Sequence, residues 1–133
     1  MKLAVAITLA LTTAVEADIR KCNMQLGRNI QYGWIAPEIY VFFDEATKKI
    51  EVFDGIVSEF NKEKPIEAKL GIEKPNSRTF RWALLVINGA GQRTKMQYQA
   101  SLFLDTNKLH VTAKPNGYSD FLTATGTCQP YKG

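Results

Sequence analysis

From residue 39 onward the chain alternates apolar and polar positions with a period of two, and short turn-forming stretches interrupt it at regular intervals. Ile39, Val41 and Phe43 share one face, residues 44–48 form a turn, and Ile50 and Val52 resume the alternation, which predicts a hairpin. Ile66, Ala68, Leu70 and Ile72 alternate with Glu67, Lys69 and Glu73. After a turn at residues 75–77, Phe80, Trp82, Leu84 and Val86 define the next inner face. An Asn-Gly-Ala-Gly turn at 88–91 leads into the most regular amphipathic strand, in which Met96, Tyr98, Ala100, Leu102 and Leu104 alternate with Lys95, Gln97, Gln99 and Ser101. Thr106 and Asn107 turn the chain, and Leu109, Val111 and Ala113 face inward. Asn116 and Gly117 turn it again, and residues 121–128 form the last strand. Two earlier strands are predicted near residues 20–24 and 30–34. Residues 56–65 fit either one helical turn through Ile56, Val57 and Phe60 or a distorted strand.

The total is about eight or nine short strands with no long helix, an all-β domain. Open antiparallel sheets leave unpaired edges, and closure removes them. An antiparallel up-and-down barrel of about eight strands is therefore the expected fold, with a two-sheet sandwich as the alternative.

The N-terminal pattern is different. Lys2 precedes an apolar run from Leu3 to Leu11, and the chain reaches Val15-Glu16-Ala17 with a small residue at the break. This is the layout of a secretory signal peptide, residues 1–17, cleaved before a single domain of residues 18–133. The run is shorter than the ~20 apolar residues of a spanning helix, and no later segment is long enough. The implied location is periplasmic or secreted, with no membrane span after signal removal.

That location gives the two cysteines a meaning. In an oxidising compartment, Cys22 and Cys128 of a small domain are expected to pair. A bridge confines its Cα atoms to within ~7 Å, so it brings the first and last strands together, as barrel closure requires. For loops of ~100 residues the chain-entropy treatment gives ~4–5 kcal/mol, an upper figure.

Candidate chemistry is sparse. His110, the single histidine, falls on the polar face of its strand. One histidine and two paired cysteines do not make a zinc site, and no nucleophile elbow or P-loop motif occurs. Asp44, Glu45, Glu51 and Asp54 cluster around one hairpin, but Lys48 and Lys49 sit among them and the spacing fits no calcium loop. No catalytic residue, metal or cofactor is predicted. The net charge of +4 favours anionic partners mildly, and the absence of a dense Lys/Arg block argues against nucleic acid.

Aromatic residues are numerous. Tyr40, Phe42 and Phe53 oppose the inner face of the 39–54 hairpin, so its second side is expected to be covered by residues 56–60, another subunit or a ligand. Arg78, Arg81, Arg93 and Lys95 crowd the next hairpin, as a solvated surface or as a contact for phosphate, carboxylate or an acidic protein.

Residues 43–55, Asn88-Gly-Ala-Gly-Gln-Arg93, Pro115-Asn-Gly-Tyr118 and Gly126-Thr-Cys128 together resemble a group of small exported alphaproteobacterial proteins. The resemblance covers most of residues 18–133, implies a fold and carries no activity. In architecture the chain is also similar to lipocalin-like barrels and to periplasmic barrel inhibitors of lysozyme and proteases. The chain departs from the lipocalin pattern in lacking the Gly-x-Trp entry signature, of which Gly33-Trp34 is only a fragment.

The resulting expectation is a non-enzymatic binding module for a small apolar or amphipathic ligand. The ligand would sit at the barrel mouth, with Trp34, Trp82 and Tyr98 as candidate lining and a cavity of a few hundred Å3. The alternative is a protein-interaction module, such as an inhibitor of an envelope enzyme. Its contact would lie at residues 115–119 with Tyr118 at the tip, or at 88–93, with Arg81 and Arg93 as partner-contact candidates. The basic charge favours an acidic target. No pattern fixes an oligomeric state.

Overall fold

A computed structural model describes residues 18–26, 33–117 and 119–132. The expected signal peptide, the first part of the expected 30–34 strand and Tyr118 lie outside these residues. The chain forms a closed eight-stranded antiparallel barrel: β1 Asp18–Gln25, β2 Glu38–Asp44, β3 Lys49–Asp54, β4 Ile66–Lys74, β5 Ser77–Ile87, β6 Arg93–Phe103, β7 Lys108–Pro115 and β8 Leu122–Pro130. Each strand pairs with the next, and β8 returns to β1. The two-sheet alternative is thereby excluded. At the seam Cys22 lies directly opposite Cys128, and the two form a disulfide.

Alternation dictates the interior. Ile39, Val41, Ile50, Val52, Phe80, Leu109 and Val111 are fully buried, as a period of two on a closed sheet requires. The lumen is filled by unequal walls. Phe80, Trp82 and Tyr98 on β5 and β6 supply a stack of rings. Ala113, Ala124, Gly126 and Cys128 on β7 and β8 supply small residues. Gly126 shows why that wall must be small: a Cβ there would lie 2.5 Å from both the Asn23 carbonyl oxygen and Met24 Sδ. Gly126→Ala is expected to lower stability by about 1–3 kcal/mol through overpacking, measured by urea unfolding. A loss of under ~0.5 kcal/mol, the range of ordinary surface changes, would show that β1 yields freely.

Residues 33–36 and a short helix, α1 (Gly55–Phe60), close one end. The described part of the expected 30–34 strand, Gly33 and Trp34, is not a strand. Ile35 and Ala36 are buried instead, and the Trp34 ring packs 6.4 Å from Phe60. The ambiguous 56–65 stretch resolves as α1, whose Val57 is fully buried in the barrel core. On the outside, Tyr40 meets the edge of Tyr131 at 5.0 Å, so the C-terminal tail covers part of the hairpin's second side.

Asp54 starts α1. Its Oδ1 accepts from the amides of Ile56 (2.9 Å) and Val57 (2.8 Å), the N-cap arrangement. Burial raises its pKa, and the two amide bonds only partly oppose this. A carboxyl raised in the fold contributes stability that is present below its ordinary value and lost as pH rises through the raised value. Asp54→Asn keeps the acceptor without the charge. This variant is expected to be at least as stable as wild type at pH 7, with the gap closing toward pH 4. Asp54→Ala is expected to fall about 1 kcal/mol below the Asn variant. Urea midpoints across that pH range check both, and a wild type more stable than the Asn variant at pH 7 would refute the first.

Candidate binding recess at the barrel mouth

The end opposite α1 is open. There the barrel encloses a recess of about 210 Å3. Its apolar wall is Val41 and Phe43 of β2, Ile50 of β3, Phe80 of β5, Leu102 of β6, and Leu104 in the turn just after β6. The same alternation that fills the barrel makes this recess. Rings stack where β5 and β6 place Phe80, Trp82 and Tyr98, and Phe80 also lines the recess; toward the mouth smaller aliphatic side chains leave space.

The rim is polar. Asp18, Arg20, Glu45 and Arg78 border the opening. The Arg20 Nε donates to Asp18 Oδ2 (3.2 Å), and its Nη1 donates to Asn107 Oδ1 (2.9 Å). Arg78 is largely buried, its guanidinium 5.9 Å from the Phe43 ring centroid. Its Nη1 donates to the carbonyls of Lys74 and Ser77. Its Nε lies 3.3 Å from Glu73 Oε2, close enough for an ion pair but without hydrogen-bond alignment. Among the described residues, the Nη2 group of neither arginine has a hydrogen-bond partner.

The wall is incomplete beside this rim. β3 pairs with β4 only from Ile50↔Ala68 to Val52↔Ile66, while β4 runs on to Lys74 along β5. Lys48 spans the gap, its ammonium 2.9 Å from the carboxylates of both Glu45 and Glu73. The hydrogen bond from Lys48 holds the Glu73 carboxyl below its ordinary pKa, and the bonds to Glu45 and Glu73 hold the Lys48 ammonium above its own. The rim thus offers arginine donors, partly committed, above an apolar floor. This arrangement suits an amphipathic molecule with an acceptor at one end.

The sequence-predicted residues lie elsewhere. Trp82 and Tyr98 stack at 5.1 Å with nearly parallel planes and are buried in the barrel interior. The Tyr98 hydroxyl donates to the Trp34 carbonyl (2.8 Å), bringing these two together at the closed end. Burial, and behind it the Asp54 charge, push the Tyr98 pKa upward. Trp34 lines a smaller recess of about 170 Å3 with Val86 and Met96. None of the three borders the mouth recess. Arg81 stands on the outer face, its Nε donating to Gln99 Oε1 (3.0 Å), and Arg93 is exposed at the start of β6. His110 is exposed beside Thr125. Among the described residues no group of acidic, histidine or cysteine side chains is placed to hold a metal ion.

The apolar mouth residues are visible in the sequence only as inward positions, and Arg78 of the rim only as one of a group of cations; nothing in the alternation says which end of a barrel stays open. No protein-family model, curated protein or solved structure matches this chain.

Proposed function

We propose that the protein is an exported, non-enzymatic binding module. It takes a small amphipathic ligand at the barrel mouth, with its apolar part against Val41, Ile50, Phe80 and Leu102 and its polar end toward Arg20 and Arg78. The observation that carries this reading is an apolar recess of about 210 Å3 bordered by two arginines. The volume lies below the ~300–1,000 Å3 of pockets that enclose drug-sized ligands, so the ligand is short or enters only in part. The disulfide suggests an oxidising compartment and supports a periplasmic or secreted setting.

Decanoate and decanol are suitable probes, followed by methyl NMR. Decanoate is expected to shift the Val41, Ile50, Leu102 and Leu104 methyl signals saturably, and Leu104→Trp, which fills the recess, is expected to abolish this. Arg20→Gln is expected to weaken decanoate roughly tenfold, the scale of one lost charged hydrogen bond, and to leave decanol little changed. Absence of saturable shifts at these methyls with either probe would refute the reading.

A further inference from the structure

On the barrel's outer wall, the usual polar exterior breaks down on β5. Leu85 and Ile87 are 57% and 50% exposed where alternation places solvent-facing residues. Across the β5–β6 ladder, cations stand directly opposite them: Lys95 faces Leu85, and Arg93 faces Ile87. Along the same face, Arg81 pairs with Gln99, and Gln97 pairs with Lys114 of β7. Arg81 and Lys114 border a shallow hollow of about 270 Å3 whose other polar lining is Gln97, Gln99 and Thr112. Lys69 lies opposite Arg81 on β4. Among the described residues none of these cations makes an ion pair. Continuing the β4–β5 register places one acid, Glu67, beside Ala83 on this wall.

We infer that this wall docks on the surface of an anionic phospholipid bilayer, with a headgroup phosphate in the Arg81–Lys114 hollow and Leu85 and Ile87 entering the interface. Charge complementarity selects the occupant. Five cations against one carboxylate attract a negatively charged surface, and exposed aliphatic side chains gain by leaving water there. A barrel wall is convex, and the exposed aromatic of β6, Phe103, stands opposite Ser77 at the far end of the ladder from Leu85 and Ile87, whereas protein hot spots favour aromatic residues in well-packed, shape-complementary contacts. A bilayer needs no such match. The inference is independent of the mouth recess.

Sedimentation with vesicles tests it on the disulfide-bonded protein. Vesicles of phosphatidylcholine with about 30 mol% phosphatidylglycerol are expected to bind the protein saturably, and phosphatidylcholine alone is expected to bind it at least about tenfold more weakly. Raising salt from about 0.1 M to 0.5 M should release most of it. Arg81→Gln with Lys114→Gln should lose about tenfold in affinity, and Leu85→Ser with Ile87→Ser about fivefold. All four positions face solvent, so thermal unfolding of the variants should match wild type, which separates lost docking from lost fold. The proposal is overturned by no binding to the anionic vesicles, by equal binding to both lipids, by variants that bind unchanged, or by full competition from millimolar glycerol phosphate, which would mark a site for a free anion.

Discussion

Replacing Cys22 and Cys128 together by alanine is expected to lower stability by about 2–5 kcal/mol, seen as a fall in the urea midpoint. The magnitude follows from where the bridge sits. Seven of the eight strand interfaces join neighbours in sequence, and each closes a local loop. The β1–β8 seam alone joins the two ends of the domain, and its cysteines are 106 residues apart. Loop-closure cost grows with length, so this interface carries the largest entropic penalty, and the disulfide imposes that restriction on the unfolded chain in advance. Without it, the six residue pairs of the seam, from Arg20↔Pro130 to Gln25↔Thr125, must close the barrel unaided. The m-value should rise because the unbridged unfolded chain expands. Both sulfurs are buried, so reductant alone should act slowly and reductant with urea quickly. A loss below about 1 kcal/mol with an unchanged m-value would show that the seam is held by strand pairing alone.

The seam was legible in the sequence because two independent signals agreed: alternation predicted half-buried strands, and an N-terminus with the layout of an export signal gave two cysteines a reason to join the first to the last. The two segments at the closed end were harder to read, for a specific reason. Trp34, Ile35 and Ala36 follow no period because they plug an opening and form no wall, so Gly33 and Trp34 resembled the end of a strand. The helix α1 is six residues long and buries Val57 alone, too short a stretch for a helical period to emerge. The mouth recess was not legible either. Alternation places Trp82, Tyr98, Val41 and Leu102 inside without distinction, and whether an inward side chain fills the lumen or borders a hollow depends on what faces it across the barrel. In the closed ring β5 and β6 face β1 and β2, strands far from them in sequence.

Trp82→Ala is expected to cost about 3–5 kcal/mol, the other large effect, while Trp82→Phe stays within about 1 kcal/mol of wild type. Trp82 is the middle ring of the filled half of the barrel, 5.9 Å from Phe80 and 5.1 Å from Tyr98. Truncation leaves a large void between them. The surrounding wall cannot collapse into it, because backbone pairing on both sides fixes every strand of the closed barrel. The phenylalanine variant separates ring packing from indole chemistry. The Trp82 Nε1 is buried with no hydrogen-bond partner among the described residues, and such a donor costs about 1–3 kcal/mol. Phenylalanine sheds that cost as it gives up part of the ring area, so the two changes offset. Urea unfolding of both variants decides the matter. If Trp82→Phe falls as far as Trp82→Ala, the indole nitrogen has a partner that stabilises the fold and the stack is not the main source of Trp82's contribution. If instead Trp82→Ala costs under about 1 kcal/mol, the barrel relaxes around the gap and its interior is not the rigid filling that confines the open space to the mouth.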